Sequence, residues 1–462
     1  MYLYKMQAEQ KSSIHFLGGA GTVTGSKTLI DSGTQKVMID CGLFQGLKEL
    51  RQLNWEDLPV EASKIDAVIL THAHLDHCGY LPALVKGGFR GKIYCTPATA
   101  ELAEIILLDS AKIQEEDADR ANRKKYSSHL HCKPLYTQEQ ARKTFELFDT
   151  HNYNEWVIID NSVKFQLLNA GHILGSAMIE IKVNKKTLLF SGDIGRKDPM
   201  LLYPPKKVQH ADYVILESTY GDRTHSILDV KEKLLEIILE TNRKGGILMI
   251  PSFAVERTQE MIFLLHLLKD EDLLPNHKIY LDSPMGIKST LVFDKYPEMQ
   301  DISKYNSDRM YDVVEYIETY EESKAVVADK KPKIIIAGSG MLEGGRILHY
   351  LANHGGDPKN TILFVGFQAA GTRGRDLVRG NKQIKLFGKY HEINAEIRSI
   401  SSMSAHADKN EMLDWLGNLK EEPTTVFLNH GEPHQANSFR VLIESKLGWH
   451  VEIPKINEVF EF

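Results

Sequence analysis

Only four cysteines occur in 462 residues, at positions 41, 78, 95 and 132. None stands in a CxxC pair or at zinc-finger spacing. That excludes a disulfide framework and a thiolate metal knot, and reduced core thiols are the expectation. No apolar run approaches the roughly 20 residues that a membrane-spanning helix needs. The opening stretch, MYLYKMQAEQKSSIHF, has no apolar signal core and no cleavage pattern. No membrane partner and a cytoplasmic location are therefore expected. The helical zinc motif HExxH is absent. GGAGTVTGSK (18–27) is not a P-loop, because Ala20 stands at the first glycine position; it reads as a tight hairpin loop. AGSGMLEGGR (337–346) departs from GxGxxG at Glu343. Positive charge is also short, with 56 Lys and Arg against 62 Asp and Glu, a formal net charge of −6. Taken alone, that argues against a polyanionic partner held by overall charge. A locally positive cleft or bound divalent ions would escape this count.

What the chain does have is a crowd of imidazoles in one place. In VILTHAHLDHCGYLP, an apolar run is followed by His72, His74, Asp76 and His77. On an extended segment His72 and His74 point the same way, because side chains alternate with period two. Neutral imidazole and carboxylate are the donors a borderline divalent metal takes. Four donors this close cannot all reach one ion, so partners are expected at other strand ends. His172 in NAGHILGSA and Asp193 in LLFSGDIGR each follow a strand-like run. Alone, each reads equally well as a turn residue.

Short β-branched runs at 36–40, 66–70, 92–95, 163–168, 186–190 and 212–217 read as buried strands. Helical periodicity appears at 98–117 and near 228–241. From about 245, GGILMI, a helix near 255–269, HKIYLD, a mostly helical acidic stretch to about 330, KIIIAGSG, a helix near 343–352 and TILFVGF alternate. This rhythm implies a doubly wound parallel sheet. EIRSISS, a helix near 407–419, TTVFLNHG and a helix near 434–446 then resume the pattern of the beginning.

The ordered set of Asp40, the 72–77 cluster, His172 and Asp193 resembles the metallo-β-lactamase fold hydrolases. Glu217 in LESTYGD, His406 in SSMSAHAD and His430 in LNHGEP extend the resemblance to the β-CASP nucleases. DSPMG (282–286), AGSGM (337–341) and GFQAAGT (366–372) match as well, so the likeness spans nearly the whole chain. It implies an α/β fold: a four-layer αββα metallo-β-lactamase domain over 1–221 and 395–462, with a doubly wound β-CASP domain inserted at 222–394. It implies an active site in the cleft between the two domains. It also implies one metal on His72, His74 and His172, a second on Asp76, His77 and His430, and Asp193 between them. Asp40 would orient ligands, Asp76 would act in catalysis as well as ligation, and His406 beside Glu217 would be the general acid. Two Zn²⁺ are the family's expectation, with manganese as the alternative.

A histidine at the position of His430 goes with RNA-processing members, so RNA is the implied substrate. The chain looks most like compact prokaryotic relatives of the endonuclease subunit of the eukaryotic cleavage and polyadenylation factor. It ends soon after His430, where RNase J proteins carry a further domain. An endoribonuclease is therefore expected, with an RNase J-like 5′-exonuclease as the alternative. A hydrolase of a small ester or thioester and a non-catalytic RNA-binding subunit are the remaining readings, and a homo-oligomer is left open. Ser339 and Gly340, at a helix start, and Arg373 and Arg375, in GTRGRDLVRGNKQIK, are candidate phosphate contacts. Few aromatics accompany these cations, so base stacking is not expected there. The HxH in SSHLHC (127–132) reads as structural.

Overall fold

The computed structural model describes residues 11–124, 132–225, 229–302, 310–366, 368, 371–400 and 403–462. The HxH pair at 129 and 131 lies outside them, as do parts of SSMSAHAD and GFQAAGT. The chain forms two compact units. One comprises the chain up to Pro199, Tyr203–Thr224 and His406–Phe462; the other comprises Met200–Leu202 and His225–Ala405.

The first unit holds two seven-stranded sheets. One runs in the order Glu458–Glu461, Ser13–Gly18, Lys27–Asp31, Lys36–Ile39, Ala67–Ile69, Lys92–Cys95, Phe148–Thr150. The other runs Val451–Glu452, Thr425–Asn429, Tyr213–Glu217, Lys186–Phe190, Ala177–Val183, Val163–Asn169, Val157–Ile158. Alternation along each strand decides which residues enter the space between the sheets. Val163, Phe165 and Leu167 pack there with Phe16, Ile39, Ile69, Ile181, Phe190 and Phe427. Leu168, Met178, Leu189 and Val214 point the other way, under Met412, Trp415 and Leu416 of helix Lys409–Leu416 and Phe439 and Ile443 of helix Pro433–Leu447. The first sheet is flanked by the helix Pro97–Lys124, which contacts its edge strand. The layers are thus αββα.

Both sheets have parallel centres. Lys36–Ile39, Ala67–Ile69 and Lys92–Cys95 run together in one, and Lys186–Phe190, Tyr213–Glu217 and Thr425–Asn429 in the other. Parallel strands place their C-terminal ends on one edge, where α/β folds carry chemistry. The segment 18–27 is the hairpin connection between two antiparallel strands. Gly18 is required there, because a Cβ would meet Gly25 O at 1.9 Å.

The second unit is built on a six-stranded, all-parallel sheet ordered Glu315–Tyr316, Ile279–Asp282, Ile334–Gly338, Leu248–Ser252, Thr361–Phe364, Glu396–Ser399. Alternate residues feed opposite faces. Leu248 and Ile250 pack under helices Val230–Arg243 and Arg257–Asp270, and Met249 packs under Ile347–His354. The acidic stretch before 330 is less helical than its composition suggests, since it contains the edge strand Glu315–Tyr316. Glu396–Ser399 pairs with Thr361–Phe364, which keeps 395–405 in this unit. Among the described residues no helix is long and apolar enough to cross a membrane. All four cysteines are free thiols, three of them buried.

Lys27 is the exception to the apolar interior, at 2% exposure. Its ammonium lies 4.5 Å from the Phe44 ring centroid and 4.8 Å from that of Tyr80, with Gly25 O at 3.5 Å. Burial pushes its pKa from 10.5 down to about 8. Unfolding returns the lysine to water, so the charged form carries a penalty that is complete below pH 8 and fades as pH rises to 10.5. Lys27→Met keeps the stem and removes the charge. The expected result is a gain of about 3 kcal/mol at pH 7, read from urea midpoints, and narrowing above pH 8.

Candidate metal centre

The cluster begins where strand Ala67–Ile69 ends. Asp40 follows the neighbouring strand with φ +58, and its carboxylate receives three donors from the 71–77 segment. Thr71 N donates at 2.8 Å, Thr71 Oγ1 at 2.9 Å and His77 Nδ1 at 2.7 Å. His72 and His74 follow in extended backbone, and the short helix Leu75–Cys78 carries Asp76 and His77. Gly42 packs against this turn so closely that a Cβ would sit 1.5 Å from Asp76 O.

Two donor groups result. His74 Nδ1 lies 3.1 Å from His72 Nε2 and 3.2 Å from His172 Nε2. Asp193 Oδ2 lies 3.5 Å from both His72 Nε2 and His172 Nε2. In the second group His77 Nε2 lies 3.2 Å from His430 Nε2, and Asp76 Oδ2 lies 3.5 Å from the same nitrogen. Asp193 turns its other oxygen to this group, 3.3 Å from His77 Nε2. Four donors placed tetrahedrally at about 2.0–2.1 Å from one ion stand roughly 3.3–3.4 Å apart. The observed spacings fit that arrangement. Asp193 Oδ1 is buried and lies 3.1 Å from His430 Nδ1 without a well-directed hydrogen bond to it, which also fits an oxygen aimed at a cation.

The electrostatics differ between the two groups. Burial holds His72 and His74 below the usual imidazole range, in the neutral form that ligates metal. Burial opposes charge on His77 too, but Asp193 and Asp40 outweigh it and raise His77 well above that range. His430 is pushed up to about 10 against burial, chiefly by Asp193. Asp193 itself, despite burial, is held well below the carboxylate range by His430, His77 and His406.

Glu217 ends its strand with a fully buried carboxylate. His406 Nδ1 approaches Glu217 Oε2 at 3.0 Å and Oε1 at 3.1 Å. Burial opposes protonation of His406, but Glu217 and Asp193 raise its pKa overall. The His406 loop is tied to the Asp193 loop by Ala407 N donating to Ile194 O at 2.8 Å and by the Arg196–Glu411 pair at 3.1 Å. Glu411 also completes the capping box of helix Lys409–Leu416 with Asp408.

Thr71, Ser176 and Arg196 are contributors that sequence reasoning did not single out. Ser176 Oγ accepts from His172 N at 3.0 Å. Thr71 was adjacent to the motif, but nothing in its spacing announced a hydrogen bond to Asp40. Ser339, Gly340, Arg373 and Arg375 lie in the second unit. Ser339 Oγ accepts from Glu343 N, and Gly340 leaves room for the Phe253 ring. Arg373 donates to Leu342 O and Lys385 O and pairs with Glu343, so its guanidinium is engaged in holding the loop.

Residues 20–240 match the Metallo-beta-lactamase superfamily, 258–377 the Beta-Casp domain, and 390–454 the Zn-dependent metallo-hydrolase RNA specificity domain. Ribonuclease TTHA0252 of Thermus thermophilus is 34% identical over 96% of this chain and 98% of that protein. The chain belongs to the β-CASP ribonuclease family of the metallo-β-lactamase fold. Among other β-CASP relatives, an RNase J-like protein of Methanocaldococcus jannaschii is 32% identical over 93% of this chain and 95% of its own length. The transcription termination factor FttA of Methanosarcina mazei is 30% identical over 90% of this chain and 66% of its own length. A crystal structure of a protein of unknown function from Enterococcus faecalis shares the fold, with TM-score 0.56 at 12% identity over 98% of this chain and all of that one. A divalent metal accords with both the family and the clustered donors.

Asp40→Ala would strand three donors at once. The expected cost is about 3 kcal/mol of folding stability, measured by chemical denaturation, with Asp40→Asn recovering part of it. A cost under about 0.5 kcal/mol, the range of ordinary surface changes, would contradict this network.

Proposed function

We propose that this chain is a cytoplasmic two-metal endoribonuclease that hydrolyses phosphodiester bonds of single-stranded RNA. The observation that carries the reading is Asp193, whose two oxygens each face one donor group beside the His406–Glu217 pair. His72, His74 and His172 hold one ion, and Asp76, His77 and His430 the other. Zinc suits this nitrogen-rich set, with manganese as the alternative. Bound there, such ions supply positive charge to a phosphodiester and lower the pKa of water to about 7.

The chain's own residues do the rest. His430 and His77 hold Asp76 below the usual carboxylate range against burial, so it stays ionised beside them. Glu217 fixes His406 through Nδ1, which presents the opposite nitrogen, Nε2, as the donor to the leaving 3′-oxygen. Asp40 orients His77 through Nδ1, as supporting carboxylates do for ligating histidines. The RNA preference rests on His430, on a relative that is a ribonuclease and on one that is RNase J-like.

A second reading, a 5′-exoribonuclease, is favoured by the RNase J-like relative that this chain covers almost end to end. Internally labelled single-stranded RNA and its DNA counterpart, run on a gel after incubation with zinc-loaded protein, separate the readings. Discrete internal RNA fragments with intact DNA are expected; release of mononucleotides from the 5′ end would favour the exonuclease. No cleavage by protein holding about two metals per chain would overturn both.

The residue roles divide in the same assay. His406→Ala should lower kcat by about 10²–10⁴ with metal content unchanged. Asp193→Ala should lower bound metal, measured by elemental analysis, and abolish cleavage. Full metal content in Asp193→Ala would contradict a shared carboxylate.

A further inference from the structure

The outer face of the second sheet in the first unit is only partly covered. Leu168 and Met178 lie under the C-terminal helices. Lys164, Gln166, Glu180 and Lys182 belong to the same face by alternation, toward the other end of those strands. A groove of about 430 Å³ opens there, lined by Gln166, Glu180, Lys182, Lys206, Lys207 and His210 among others.

Its charges are poorly matched. The register sets Lys164 directly opposite Lys182. Like charges at that position repel. Neither lysine, nor Lys206 or Lys207, has an ion-pair partner among the described residues. Instead, both opposed ammoniums sit against one indole, at 5.0 and 5.1 Å from the Trp156 ring. That ring is 39% exposed. The acid in the lining, Glu180, accepts from Gln166 Nε2 at 2.9 Å. His210 stands 3.7 Å from Glu421 and 4.0 Å from Asp212. Lys182 lines the groove with Lys206 and Lys207 and, with Lys164, also meets the exposed Trp156 ring, so four unneutralised cations and one aromatic face form a site suited to a single-stranded polyanion with stacking bases.

We propose that this groove is a second RNA-contact site. Lys182, Lys206 and Lys207 hold backbone phosphates, and Trp156, flanked by Lys164 and Lys182, stacks a base. The proposal rests on the ribonuclease reading and adds a place for the strand beyond the reacting bond. Gln166 precedes His172 by six positions and Lys164 by eight, so the near and far parts of the site lie within about 20 and about 26 Å of the cluster along that segment. One RNA strand of several nucleotides reaches both. An acidic polypeptide would answer the lysines but leave the indole face without a partner.

The test uses metal-loaded full-length protein, a single-stranded RNA of about 40 nucleotides and one of about two, too short to reach both places. The charge-reversal variant changes Lys182, Lys206 and Lys207 to Glu; a second variant changes them to Gln, which keeps the stems if reversal impairs folding. For the long RNA, KM should rise about tenfold or more with kcat unchanged, and the slope of log affinity against log salt should fall by about 2. The short RNA should be cleaved as before, and Trp156→Ala should weaken long-RNA binding without altering the salt slope. Unchanged KM and salt slope for the long RNA would overturn the proposal. So would groove-dependent binding of polyglutamate with RNA affinity untouched, which would assign the surface to an acidic protein. Groove-dependent RNA binding without cleavage would support the groove and sink the nuclease reading. No RNA binding at all would sink both.

Discussion

A buried carboxylate stays ionised only where positive charge stands close by, and Asp193 has it on two sides. Its Oδ2 lies 3.9 Å from His406 Nδ1; its Oδ1 faces His77 and lies 3.1 Å from His430 Nδ1. Removing such a group from water costs several kcal/mol unless cations and hydrogen bonds compensate. The surrounding architecture supplies that compensation. Asp40 anchors His77 and Thr71, Ser176 closes the His172 turn, and Glu217 adds a second buried carboxylate beside His406. Each support acts on a neighbour of Asp193 rather than on Asp193 directly. The site is therefore one electrostatic unit, in which a change at any supporting group alters the charge balance at the shared carboxylate.

The fold meets this demand by aligning strand ends. His77 and His430 are 353 positions apart, yet their Nε2 atoms are 3.2 Å from each other. Parallel pairing in the centre of each sheet brings the C-terminal ends of strands ending at Ile39, Ile69, Phe190, Glu217 and Asn429 to one edge. Glu217 is itself the last residue of its strand, and each of the other ends is followed within three residues by a member of the cluster. Tight backbone at Gly42, and the left-handed conformation of Asp40 and His430, then aim the side chains across short distances. Rigid strands set the positions to within the small tolerance that ligand geometry needs.

Much of this was legible because donor residues crowd behind apolar runs. His72, His74, Asp76 and His77 announce themselves by density, while His172 and Asp193 gain meaning only from the company of that cluster. The supporting layer was not legible. Thr71 and Ser176 are ordinary turn residues in a string of letters, and their hydrogen bonds depend on where distant strands lie. Arg373 is a similar case: in the sequence it is one cation of a basic run, and only the structure shows its guanidinium donating to Lys385 O and Leu342 O and pairing with Glu343. The strand Glu396–Ser399 shows the same limit. Its four residues carry a strand pattern, but only its pairing with Thr361–Phe364 assigns it to the second unit's sheet. Pairing partners are non-local, and a single sequence does not state them.

The formal charge of −6 is a poor guide to partners for a related reason. Charge acts where it is placed. Lys27 is sealed beneath two aromatic rings, out of reach of any partner. Lys164 and Lys182 are held opposite each other by strand register, on a face open to solvent, where repulsion persists until an anion arrives. These lysines count equally in composition and behave as opposites in the structure. The buried one is a liability to stability, whereas the opposed pair is a surface potential that a polyanion can use. A chain with a net negative charge can therefore still present a locally cationic track, and that track lies on the outer face of the same sheet whose strand ends carry His172 and Asp193.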